Sequence, residues 1–279
     1  MAIYAKGYLT EKYMSQRLLL EERLSLYDDL SGIVGAMRSF ALAELRKVGK
    51  REQAQQSVVN ELENVLGVIS EGFSSYKTVP LDHHEGDIGL LLGSVRGFCG
   101  SFNEDVVRFW KAQMCSTDPV ILVGERLHNL IPDLDNLIFI EGAEGCLDAV
   151  SVIDKIIQVI QGVGFNDNLG LVVCFRDNGE VKNQRLWPLA DNLLNPKIPT
   201  PMTYTTTDEV IITVAEHYLF HKLLIALLQS IREENHMRLI QMETALRHLD
   251  EGREELLLKR NRLRQEDIVE EIELMSNWR

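Results

Sequence analysis

The chain has 279 residues, 45% of them hydrophobic and 25% charged, with a formal net charge of −13. That length and apolar content suffice to bury the core of one large or two modest domains, and the mixed charge excludes a disordered, collagen-like or disulfide-stapled chain. So acidic a chain repels phosphate backbones and anionic lipid, which argues against nucleic acid or a bare membrane surface as partner.

The first twenty residues carry Lys6, Glu11, Lys12 and Arg17 and no apolar leader core, and no stretch of eighteen uncharged apolar residues occurs anywhere. The expectation is a soluble, cytoplasmic protein attached to a membrane only through other subunits. From about Glu11 to Phe73 there is no proline, and apolar residues recur in steps of three and four at Leu26, Leu30, Ile33, Met37, Phe40, Leu45 and Val48, which predicts a long helix with these residues as its seam. The pattern resumes at Val58, Leu62, Val65 and Ile69 after the polar run from Gly49 to Gln56. Gly72 and Pro80 close the segment.

Between Leu81 and Pro201 short apolar runs alternate with helical stretches. Strands are expected over Asp87 to Leu92, Pro119 to Val123, Leu137 to Ile140 and Leu169 to Phe175. Helices are expected over Asn103 to Met114, capped by Asn103, near Glu125 to Leu130, and over Leu147 to Ile160. The alternation predicts an α/β layer with parallel pairings. Asp177-Asn178-Gly179 is a turn that folds the last of these strands back onto Val181 to Trp187. Four cysteines, Cys99, Cys115, Cys146 and Cys174, form no C-x-x-C pair and are expected reduced and mostly buried.

From Thr207 or Asp208, a plausible N-cap, to about Ser276 proline is again absent. A seam runs through Leu224, Leu228, Ile231, Met242, Ala245, Leu249, Leu256 and Leu263, with Asn235 and Arg238 as polar interruptions. Such a helix would be roughly 100 Å long. Two long helices flanking a globular insert are most simply satisfied by antiparallel pairing. The expected fold is therefore α plus α/β: residues 1–80 as an extension and shaft helix, 81–206 as the α/β domain, and 207–279 as the second shaft helix.

Three local sequences carry a resemblance. Ile33 to Lys47 reads I-V-G-A-M-R-S-F-A-L-A-E-L-R-K, Ser94 to Asn103 reads S-V-R-G-F-C-G-S-F-N, and Glu234, Arg238, Met242, Ala245, Asn261, Arg264, Gln265, Ile268, Glu271 and Ile272 mark the third. Together, and in this order, they resemble the gamma subunit of F-type ATP synthases. The resemblance implies a non-catalytic central shaft that couples ATP synthesis or hydrolysis in a ring of alpha and beta subunits to ion translocation. It also implies an epsilon subunit and the membrane c-ring as partners, no cofactor, and a place on the cytoplasmic face of the inner membrane. By the same resemblance, Met37 and Arg38 face the acidic lever of a beta subunit, Arg96 offers a planar donor to a neighbouring subunit, and Arg264 and Gln265 catch a beta-subunit loop with Glu271 nearby. Gly97 and Gly100 are expected to serve a tight strand-to-helix turn.

Departures from the family pattern mark a divergent or second-copy member, such as an alternative sodium-pumping ATPase would use. Gly32 and Gly35 stand where lysines are usual, Asp28 and Asp29 lie just upstream, and Val95 and Val269 replace an aspartate and a threonine. Each glycine costs about 1 kcal/mol of helix stability.

Other signals are weaker. Gly93, Gly97 and Gly100 follow a strand but lack the Gly-Lys-Ser/Thr of a phosphate loop. Gly162-Val163-Gly164 reads as a turn. His217 and His221 share a helix face without a third ligand, and His83-His84 reads as a polar connector. The alternatives from other classes are a coiled-coil adaptor built on the same architecture and a small enzyme on the α/β layer, which would need a convergent acid, base or nucleophile set.

Overall fold

The computed structural model describes residues 2–69, 86–113, 119–131, 136–162, 169–189 and 207–276. In chain order the elements are α1 (Ala2–Ile69), β1 (Gly86–Leu92), α2 (Phe102–Gln113), β2 (Val120–Val123), α3 (Glu125–His128), β3 (Leu137–Ile140), α4 (Ala149–Gly162), β4 (Leu169–Asp177), β5 (Glu180–Trp187) and α5 (Thr207–Ser276). The expected strands and helices are all present. Met114, Cys115, His83-His84 and the stretch closing the first helix lie outside the described residues, as does the side chain of the expected cap at Thr207 or Asp208.

The strands form one sheet in the order β3-β2-β1-β4-β5, parallel except for the β4–β5 hairpin. Asn178 and Gly179 turn that hairpin with φ of 52° and 83°, the left-handed pair that a two-residue turn needs. Strands covered on both faces read as continuous apolar runs, and the side chains here divide by parity. Ile88, Leu90, Leu92, Ile121 and Val173 pack with Ile153 and Ile156 of α4, Leu224 and Leu228 of α5 and Val48 of α1. Leu91, Leu122 and Cys174 pack on the other face with Val106 and Trp110 of α2.

Compactness divides the chain into two units, one of Ala41–Arg238 and one of Met1–Phe40 with Leu239–Arg279. Within each, α1 and α5 run antiparallel. In the sheet-bearing unit Glu52 meets Arg232, Gln55 meets His221, and Glu63 meets Lys222 and Tyr218. In the other unit Asp28 meets Arg253, and Arg38 meets Glu243.

The α5 seam follows the expected positions: Leu224, Leu228, Ile231, Met242 and Leu256 are buried, and so are Asn235 and Arg238. The α1 seam does so only in part: Val48 is buried as expected, and Met37, Leu45 and Leu62 are half-buried. Leu26, Leu30, Ile33 and Phe40 are exposed, whereas Leu24 is buried and Tyr27, Ser31 and Val34 are half-buried. In the sheet-bearing unit the buried positions are Ala41, Val48, Val59 and Leu66, while Val58 and Val65 face out. Over residues 26–40, and again at Val59 and Leu66, the contact stripe thus lies one residue beyond the expected one, about 100° round the helix.

Candidate partner-contact surface

In open α/β sheets ligands bind outside the carboxyl ends of the strands, where the strand order reverses. That point here lies between β1 and β4, and α5 fills it. Ser230 Oγ donates to the carbonyl of Leu92, the last residue of β1, at 3.5 Å. Arg232 pairs with Asp177, which ends β4, and Glu233 accepts the backbone N–H of Gly179 at 3.0 Å. Two backbone donors that a phosphate would need are also taken: Gly93 N–H reaches the carbonyl of Val123 at 2.8 Å, and Ser94 N–H reaches Asn103 Oδ1 at 2.9 Å. A β-carbon at Gly93 would lie 2.5 Å from Leu127 Cβ, so this glycine serves the packing of α3 against the loop.

The loop from Ser94 to Asn103 is organised by a buried polar cluster. Asn103 Nδ2 donates to Ser94 Oγ at 2.8 Å, and Cys99 Sγ lies 3.4 Å from the same hydroxyl. Asn103 is therefore a brace within α2 rather than its cap; Ser101 holds the cap position, its carbonyl accepting from Asp105 N–H. In the tight strand-to-helix turn expected of Gly97 and Gly100, the left-handed positions are Phe98 (φ 62°) and Gly100 (φ 59°).

α5 clamps this loop. Arg238 Nε donates to the carbonyl of Gly97 at 3.3 Å, Nη1 donates to Asn235 Oδ1 at 2.9 Å, and Nη2 pairs with Glu234. Glu234 also accepts a backbone hydrogen bond from Arg96. Burial pushes the Glu234 carboxyl above its ordinary range, with Arg238 opposing the shift. Burial likewise pushes up the Cys99 thiol.

α1 holds the neighbouring loop after β3. Glu44, 5% exposed, accepts from Cys146 N–H at 3.4 Å, and Arg51 donates to the Cys146 carbonyl. The two loops meet where Arg96 Nη2 bonds Glu144 Oε2 at 2.6 Å. Glu44, Arg51, Glu144 and Glu234 were not assigned roles from sequence. Glu234 and Arg238 stood in a matched motif, but nothing in their spacing told a seam interruption from a clamp on a loop more than a hundred residues earlier.

The six residues expected to touch a partner lie in three places. Arg38 is exposed beside half-buried Met37, and its guanidinium is 3.3 Å from Glu243. Arg96 belongs to the sheet rim. Arg264, Gln265 and Glu271 are exposed near the end of α5, more than twenty residues from Glu243 and so roughly 30 Å along that helix. Next to them Gln16, Leu19, Leu20, Arg23, Lys259, Arg262, Leu263 and Glu266 line a groove of about 350 Å³ with an apolar floor and a mostly basic rim.

Among the described residues no group of three metal-ligating side chains converges; His221 Nδ1 instead lies 2.7 Å from Gln55 Oε1. Cys99, Cys146 and Cys174 are free and buried. No described helix is long and apolar enough to cross a membrane.

A family model described as ATP synthase matches residues 18–275. The ATP synthase gamma chain of Ehrlichia ruminantium (strain Welgevonden) is 25% identical over 265 residues, covering 87% of this chain and 90% of the relative. That of Mycoplasmoides gallisepticum is 23% identical over 274 residues, covering 91% and 95%. Among solved structures, a chain from the rotor of Euglena gracilis mitochondrial ATP synthase superposes with a TM-score of 0.63 at 14% identity, covering 91% of this chain and 99% of that one. A chain from the central stalk and c-ring of the Tetrahymena thermophila mitochondrial enzyme gives 0.57 at 22% identity, covering 76% and 99%. At these identities the structural likenesses speak to the fold.

Proposed function

The chain belongs to the ATP synthase gamma-chain family, and we propose that it works as the central shaft of a rotary F-type machine, coupling ATP synthesis or hydrolysis in a ring of alpha and beta subunits to ion movement in the membrane. The observation that carries this reading is the use made of α5. The helix that pairs with α1 also fills the crevice where an α/β layer would take a nucleotide, through Ser230, Arg232 and Glu233. The α/β layer is thereby committed to gripping the helices. On this reading the chain does no bond chemistry of its own and transmits conformational work between subunits.

On this reading Met37 and Arg38 meet the acidic lever of a beta subunit. The Arg38–Glu243 pair is half-exposed on both sides, and such pairs are worth about 1 kcal/mol or less, so a ring carboxylate competes for the guanidinium at little cost. Arg264 and Gln265 present donors to a beta-subunit loop, with Glu271 two turns further on. Arg96 reaches the ring from the sheet rim. An epsilon subunit and the c-ring complete the rotor and hold the chain at the cytoplasmic face of the inner membrane.

The test is co-expression with alpha and beta subunits, followed by mass measurement of the assembly and ATPase assay with and without the chain. A ring carrying one copy, with hydrolysis dependent on it, is the expected result. A stable homodimer that enters no ring would overturn the proposal.

A further inference from the structure

The last turns of α5 carry the wrong charge for a helix end. Glu266, Asp267, Glu270, Glu271 and Glu273 crowd them, and the only basic residue after Arg264 is Arg279, past the end of the helix at Ser276. Glu266 and Asp267 have Arg262 and Arg264 one turn back. Glu270, Glu271 and Glu273 have no cation three or four positions away in either direction, and Glu266 with Glu270 and Asp267 with Glu271 are like-charge pairs four apart, which destabilise a helix. Negative charge at a helix C-terminus also opposes the helix dipole. The start of α1 has the opposite fault. Its first turn holds no acidic residue, and residues 2–17 carry Lys6, Lys12 and Arg17 against Glu11 alone, beside the positive end of the dipole.

The fold brings these two ends together. Met1–Phe40 and Leu239–Arg279 form one compact unit, and within it Asp28 stands opposite Arg253 and Arg38 opposite Glu243. That constant antiparallel register, carried on, sets residue 18 opposite about residue 263 and residues 2–17 opposite the acidic stretch. The groove between Gln16, Leu20, Leu263 and Glu266 lies where this register puts it. Steps of three and four carried back along the α1 contact stripe from Tyr27 through Leu24, Leu20 and Gln16 reach Tyr13 and Leu9, so the apolar face continues into the segment. On α5, Asp267 is half-buried between exposed Glu266 and Ile268, as a residue on the covered side is. The family match begins at residue 18, so the segment adds about 24 Å of helix to the shared architecture.

We propose that residues 2–17 are a basic brace that docks along the acidic last turns of α5, each helix end supplying the counter-charge that the other lacks. The brace holds the end of α5 helical and leaves Arg264 and Gln265 exposed on it. It commits Glu270 and Glu271 to Lys6 and Lys12 of the same chain before any partner subunit reaches them. Both sides of the contact lie in one chain, so the brace stands or falls independently of the shaft reading.

The experiment is amide exchange on the full chain, at about 0.1 M and about 1 M salt, for the parent, Lys6→Glu with Lys12→Glu, Glu270→Lys with Glu271→Lys, and all four substitutions together. Residues 266–276 of the parent are expected to be protected at low salt, and their exchange to accelerate about tenfold in the Lys6→Glu/Lys12→Glu chain and in high salt, while residues 242–256 keep their rates. The lysines introduced at 270 and 271 also relieve the repulsion within α5, so the informative quantity is the coupling between the two pairs of substitutions. The brace requires that the loss caused by Lys6→Glu/Lys12→Glu disappear once 270 and 271 are lysine. Additive effects overturn it, as does a parent whose residues 266–276 exchange like an open chain, or a Lys6→Glu/Lys12→Glu chain that exchanges like the parent. None of these outcomes bears on whether the chain enters a ring of alpha and beta subunits.

Discussion

A β-carbon at position 252 would lie 2.6 Å from Tyr27 Cε1 and 3.0 Å from its hydroxyl, so Gly252 is the hole into which Tyr27 packs. Gly252→Ala gains about 1 kcal/mol of helix propensity but overpacks the contact, which costs about 1–3 kcal/mol. The expected outcome is a lower melting temperature, reversed when Tyr27→Ala is added; a stabilised single variant would show that the ring does not occupy this hole. Arg238 gives a second test. Arg238→Ala leaves Glu234 buried without its counter-charge, a loss of about 3–5 kcal/mol. Burial already raises the folded-state pKa of Glu234, and removing the cation raises it further. A carboxyl with a raised folded pKa holds its proton more tightly in the native state, so stability falls as pH climbs from the ordinary carboxylate range toward the folded value. The deficit of the variant, read from urea midpoints against the parent chain, should accordingly be smaller at pH 5 than at pH 8. Neither Gly252 nor Glu234 was legible as such from sequence. A glycine and a glutamate in a charged helix look like solvated-face residues until their partners, Tyr27 and the rim loop, are known.

At the scale of elements the strands were legible because a parallel sheet covered on both faces leaves little room for polar residues, and the Asn178-Gly179 turn because few other pairs adopt its backbone. The α1 seam was legible at Val48 but not over residues 26–40. α1 carries two apolar stripes about 100° apart, and the outward one holds the larger residues, Leu26, Leu30, Ile33 and Phe40, so apolar periodicity selects it. The inward stripe packs closely with Tyr27, Ser31, Val34 and Ala41, whose small or polar members weaken the signal. What sets the hairpin against both helices is Arg232, which bonds Glu52 at 2.8 and 2.9 Å and pairs with Asp177. Arg232→Ala removes the partner that Glu52 and Asp177 share and leaves Gln229 on the one and Lys182 with Asn178 on the other, so it should cost about 1.5–3 kcal/mol. Amide exchange should accelerate at residues 177–181, while β1, held by β2 and β4, keeps its protection. Uniform acceleration across the sheet would show that Arg232 supports the fold as a whole and not the hairpin.

For the whole molecule the outward stripe decides behaviour in solution. Leu26 is 54% exposed and Ile33 58%, and with Leu30 and Phe40 they line one face of α1 at coiled-coil spacing. A stripe of this kind is a contact surface in search of a cover, and on the shaft reading the ring supplies it. Two consequences follow with opposite signs. Replacing Leu26, Leu30 and Ile33 by Gln removes exposed apolar area without touching the seam, so the stability of the isolated chain should change by no more than about 0.5 kcal/mol per site. Its self-association at rising concentration, followed by light scattering, should fall. The same triple variant should be poorly retained by alpha and beta subunits, because the burial that favours assembly is gone, at about 25 cal/mol per Å² of apolar surface. If the variant instead unfolds, these residues belong to the α1–α5 seam after all. If it folds, stays monomeric and still assembles normally, the stripe is not the bearing surface, and the ring grips the shaft through its polar contacts at Arg38, Arg264 and Gln265.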